Sequence, residues 1–153
     1  MNLMMGMLPG NTTSVIGIDP GVNFGLTLIH DDEVMVHWGS LPPTKIKGEH
    51  GIHAYDFIYN TYQDFPAIKS VVEGAAYHSK FGQVGLEEVR FAFYLALRHL
   101  GMNPVIVPPA TVRKAVFGNG QQQAGDVYPF MNHNGADSLS IALYSLETEE
   151  LED

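Results

Sequence analysis

The chain contains no cysteine. That excludes a disulfide framework, a thiol nucleophile and a thiolate metal site, the usual structural zinc site included. Long apolar runs are missing too, and none approaches the roughly 18–20 residues that cross a bilayer. The Met-rich start, MNLMMGMLPG, has no basic stretch before its apolar residues, so no secretory signal is expected. Basic residues are scarce: 8 Lys and Arg stand against 17 Asp and Glu, a formal charge of −9. A charge of that sign speaks against nucleic acid, whose phosphates draw basic surfaces.

What is present qualifies that reading. Five of the negative charges crowd into the last seven residues, as Glu147, Glu149, Glu150, Glu152 and Asp153. Asp31, Asp32 and Glu33 form a second acidic cluster, and all the lysines and arginines lie between Lys45 and Lys114. The middle of the chain is closer to neutral and has room for a basic face. With 153 residues, 45% of them apolar, the chain has the size of one domain with a real core. We expect a flexible arm over residues 1–13, one domain over 14–146 and an acidic tail over 147–153. The reading is of a soluble protein with no membrane partner.

Apolar runs at residues 14–19, 25–30 and 34–38 read as three strands in an antiparallel meander. A helix is expected over about 51–65 with Pro66 closing it, then a strand over 68–73. The apolar stripe of Leu86, Val89, Phe93, Leu97 and Leu100 predicts a helix over 85–99, stopped by Gly101. Residues 104–108 read as a strand. Pro109 opens a short helix that Gly118 closes, and a last helix runs from 135 or 136 to about 146. Three strands followed by alternating helices and strands predict an α/β domain, a mixed five-stranded sheet flanked by helices.

Three acids stand at the edges of these elements. Asp19 ends one apolar strand, Glu73 ends another, and Asp137 sits near the start of the last helix. An unpaired buried carboxylate costs several kcal/mol or more, so something must neutralise it. A divalent cation is one answer, and Mg²⁺ prefers hard oxygen ligands. Two such ions about 3.5–4 Å apart are a common device for phosphodiester hydrolysis. Any one of these acids alone would read as a turn or cap residue. Three in one α/β frame shift the reading toward a metal site.

The residues around these acids resemble a family. Ile16-Gly-Ile-Asp19-Pro-Gly21, with Gly25 beyond it, resembles the first-strand motif of RuvC-type Holliday junction resolvases. Val71-Val-Glu73-Gly-Ala-Ala is similar to their second acidic motif. The run from Pro108 to Gly120 resembles the P-x-x-V-K…G-x-G segment, and residues 133–142 resemble the closing A-D-A-L-x-I-A motif. The matches keep family order over residues 14–146. The resemblance implies a ribonuclease-H-like fold and a homodimer that cuts four-way and related branched DNA with Mg²⁺ or Mn²⁺, two ions per active site. It places metal ligands at Asp19, Glu73 and Asp137, and implies a cytoplasmic enzyme of a bacterium or a phage-infected host cell.

Two departures matter. Where the family carries an acid or a histidine three residues before the last aspartate, this chain has Asn134, with His133 beside it. Asn134 can offer a neutral carbonyl to the metal, and His133 can orient or deprotonate water; both also suit a helix cap. After Gly120, Gln121-Gln-Gln123 replaces the lysine that the family usually has there. The expected DNA contacts are Tyr77, His78, Lys80, Arg113 and Lys114. Phe91, Phe93, Tyr94 and Leu97 form a broad helix surface with part to spare for a dimer seam. Three readings compete with junction resolution: a less selective branched-DNA or flap nuclease, a non-catalytic DNA-binding module, and half of an actin-like ATP-binding protein.

Overall fold

The computed structural model describes residues 2–7, 14–31, 33–64, 69–75 and 83–147. In chain order its strands are β1 (Asn2–Met7), β2 (Val15–Asp19), β3 (Asn23–His30), β4 (Glu33–Ser40), β5 (Lys69–Glu73) and β6 (Pro104–Val107). The helices are α1 (Glu49–Tyr62), α2 (Gln83–His99), α3 (Pro109–Phe117), α4 (Ala124–Val127) and α5 (His133–Glu147). The sheet order is β1-β4-β3-β2-β5-β6. Its first four strands run antiparallel to their neighbours, and β5 and β6 run parallel to β2.

Both faces of the sheet are covered, which is why its central strands read as unbroken apolar runs. On one face Ile16, Ile18, Leu26, Leu28 and Val72 pack under α1 and α2, against Ile58, Val89, Phe93 and Leu97. On the other, Val15, Ile29, Val34 and Val36 meet Ala142 of α5, and Val71 and Val107 meet Val112 of α3 and Ile141 of α5. Gly101 and Gly118 stop α2 and α3 as expected, with φ of 77° and 75°. No side chain settles comfortably at those angles, whereas glycine does.

The expected mixed sheet and flanking helices are present, with corrections. The sheet has six strands rather than five. The sixth is β1, which pairs with β4 from Asn2↔Trp38 to Met7↔Glu33, inside the segment expected to be a loose arm. Its sequence, NLMMGM, has neither alternation nor a β-branched residue, so nothing local marks a strand; its pairing with β4 makes it one. The last helix starts at His133, two residues early, because Asn132 caps it: its Oδ1 accepts the Asn134 N–H at 2.8 Å. The cap falls on neither Asn134 nor His133. Phe93 and Leu97 are fully buried core residues, which leaves Phe91, 59% exposed, as the outward aromatic of α2. Pro66 and most of the acidic tail, residues 148–153, lie outside the described residues.

Two glycines decide how α5 sits. A methyl group at Gly17 of β2 would lie 2.4 Å from the Ala142 amide nitrogen, and one at Gly25 of β3 would lie 1.8 Å from the Asn134 carbonyl oxygen. Only bare backbone lets the helix lie so close to the sheet. Below it, Ser138 Oγ donates to the Gly135 carbonyl and is 2.8 Å from Thr27 Oγ1, so Thr27 supplies the proton of that buried bond. The N-terminal turn of α5 is thereby pinned over the ends of β2 and β3.

Candidate active site

Parallel pairing aligns Ile18 with Val72, so Asp19 and Glu73 are the next positions outward on adjacent strands. Ile18 and Val72 both face α1 and α2. By the alternation of a strand, Asp19 and Glu73 face the other way, toward α5. Asp137 projects from the pinned first turns of that helix. The three expected ligands therefore meet at one sheet edge, drawn from three elements.

Their protonation shows how close they are. Burial holds the Asp19 carboxyl well above the ordinary carboxylate range, and the charges of Glu73 and Asp137 push it further. Burial, with help from Asp137, pushes Glu73 up to about 7. Burial raises Asp137 as well, while Arg113 and His133 oppose the shift. Arg113 and Arg90 also counter the shifts at Asp19 and Glu73. Two arginines thus face three carboxylates, and a surplus of negative charge in a partly dry site remains. Among the described residues, no group of three His, Asp or Glu side chains stands in ligating geometry in this conformation.

Arg90 is a site residue that sequence reasoning missed. It is 5% exposed, its Nε donates to the Glu73 carbonyl oxygen at 2.9 Å, and its Nη1 pairs with Glu87. Its place beside Val89 in the apolar stripe of α2 was the available signal, since a charge there needs a buried partner. Of the expected DNA contacts, Arg113 is half-buried on α3 and faces the acids, and Lys114 beside it is exposed. Tyr77, His78 and Lys80 lie outside the described residues.

His133 and Asn134 reach the site from another side. They line a cavity of about 600 Å³ together with Asp19, the Pro20–Asn23 loop, Asn132, and Trp38 to Ser40 at the end of β4. Its walls do not include Glu73 or Asp137. Sequence reasoning had not placed Trp38, Asn23, Ser40 or Asn132 near the acids. They come from a neighbouring strand and from the loop before α5, and only the sheet order joins them.

No family model matches the chain, and no curated protein matches it significantly. Solved structures do. A Thermus thermophilus RuvC structure superposes with a TM-score of 0.71 at 19% identity, over 86% of this chain and 92% of that one. T. thermophilus RuvC in complex with Holliday junction substrate gives 0.69 at 18% identity over the same shares. The yeast mitochondrial Holliday junction resolvase Ydc2 gives 0.58 at 13% identity, over 92% of this chain and 80% of that one. The ribonuclease-H-like architecture expected from the sequence is the fold of this chain, extended by β1.

Proposed function

We propose that this protein is a metal-dependent, structure-selective endonuclease that resolves four-way DNA junctions. The observation that carries the reading is the meeting of Asp19, Glu73 and Asp137 at one sheet edge with their protonation raised. The fold supports it, since a similar structure holds a Holliday junction substrate.

The donor set fits Mg²⁺ or Mn²⁺: three carboxylates, no thiol, and more negative charge than Arg90 and Arg113 offset. Ligation calls for rotation of side chains that already feel one another. Asp19, Glu73 and Asp137 would hold two ions, with Asn134 as a neutral oxygen donor. When bound, such ions supply a low-pKa water and charge stabilisation at the phosphate. His133, exposed at the cavity rim, would orient the attacking water or take its proton. Arg90 is a positioning residue: it clamps the Glu73 backbone where the strand ends. Arg113 and Lys114 on α3 would meet the DNA backbone, with Tyr77, His78 and Lys80 beside them.

A homodimer would set two such sites on the two opposed strands of a junction. The α1–α2 surface suits that role, with Phe91 stacked on Tyr94 at 6.3 Å and Ile52 60% exposed.

Cleavage of matched four-way junctions, flaps and plain duplex in Mg²⁺ tests the reading. Paired nicks in junctions, at rates at least about tenfold above duplex, are expected. Equal rates on duplex would leave a nuclease but remove junction selectivity.

A further inference from the structure

The cavity beside Asp19 is large enough for a small-molecule-sized group and adjoins the acids without being walled by Glu73 or Asp137. Trp38 forms one wall, and the edge of its ring fills the space where a methyl at Gly135 would sit. Two asparagines fence the opening, and each has its oxygen already engaged. Asn132 Oδ1 accepts the Asn134 backbone N–H at 2.8 Å. A backbone N–H only donates, so this contact fixes which end of the amide is oxygen and leaves Nδ2 for a ligand. Asn23 Oδ1 accepts the Ser40 hydroxyl at 2.5 Å, which leaves its Nδ2 in the same condition. The pocket therefore offers an aromatic wall and uncharged amide donors, without a matching acceptor amide.

That chemistry suits a nucleobase more than a phosphate, because no Lys or Arg lines the cavity. Stacking on an aromatic accepts any base. Donor-only edges do not: guanine and thymine present keto oxygens as acceptors, while adenine and cytosine present exocyclic amino donors. We propose that this pocket takes the base of a nucleotide flanking the cleaved phosphate, and that Asn132 and Asn23 select a keto base over an amino base. The proposal rests on the nuclease reading above.

The test is a four-way junction randomised at the positions flanking the cleavage site, cut in Mg²⁺ and sequenced at its ends. At one flanking position the protein should favour guanine and thymine by about fivefold, the factor one hydrogen bond commonly carries. Asn132→Asp keeps the oxygen that caps α5 and replaces the donor by an acceptor; Asn23→Asp does the same beside Ser40. Either should abolish the keto preference or turn it toward adenine and cytosine. The preference is a ratio within one reaction, so a general loss of DNA affinity from the added charge cancels. Junction cleavage without a keto preference, or one unchanged in both variants, overturns the proposal and leaves the nuclease reading intact. Failure of the unaltered protein to cut junctions overturns both.

Discussion

Asp19, Glu73 and Asp137 repel one another in a site where water screens them poorly, and that repulsion gives them away. Removing one charge should relieve it. Asp19→Asn is expected to abolish junction cleavage, to keep junction binding within about threefold, and to raise the melting temperature of the metal-free protein. Cleavage at near the normal rate would remove Asp19 from the site. The pH dependence follows from the sign of the shifts. Glu73 has its folded pKa raised from 4.5 to about 7, so it holds its proton more tightly folded than unfolded. Its contribution to stability is full below the unfolded value and is lost as pH rises through 7. Asp19 and Asp137 shift in the same direction. Thermal unfolding of the metal-free protein should show stability falling between about pH 5 and pH 8, by on the order of a few kcal/mol. Mn²⁺ should restore more of it at pH 8 than at pH 5, and equal restoration at both would argue against ligation by these groups.

At the scale of elements, α5 is the part on which the site depends. Gly25→Ala would drive a methyl into the Asn134 carbonyl oxygen, and both partners are backbone, so the helix must move. A loss of about 2–4 kcal/mol in denaturant unfolding is expected, with cleavage lost as Asp137 leaves the other acids. Unfolding within about 0.5 kcal/mol of the unaltered chain would contradict the close packing. Gly25 was legible in the sequence as part of a motif, but its reason was not: the helix it admits lies over a hundred residues further on. The same division runs through the fold. Strands β2 to β6 and helices α1, α2, α3 and α5 carry local signals, apolar runs bounded by proline or glycine and stripes at helical spacing. Strand β1 and the four-residue α4 carry none that distinguishes them, because pairing and packing make them. Likewise the three acids were visible from their positions at element ends. Arg90 and the cavity walls at Asn23, Trp38 and Asn132 were not, since they join the site through sheet order rather than through spacing.

For the whole molecule, the charge of −9 first spoke against a DNA partner, and the structure places part of it. Three of the acids are the proposed ligands, and Arg113 and Lys114 sit on the helix beside them. Few cations are left to touch phosphate, so junction affinity should fall only shallowly with salt, with a log–log slope of about −2 to −4 between 50 and 200 mM. A slope near −8 would mean that a basic surface has been overlooked. The outward face of α1 and α2 bears on assembly. Phe91→Glu is expected to turn a dimer into a monomer by sedimentation, and to uncouple the paired nicks of a junction into single ones. A monomeric unaltered protein that makes paired nicks would contradict the dimer.

The central claim is that Asp19, Glu73 and Asp137 form one metal site. Anomalous diffraction from crystals soaked in Mn²⁺ measures this directly. The account predicts manganese peaks bridged by the carboxylates of Asp19 and Asp137, within about 2.0–2.3 Å of their oxygens, with Glu73 completing the set. Manganese bound elsewhere, or these carboxylates bare at concentrations that support cleavage, would contradict it.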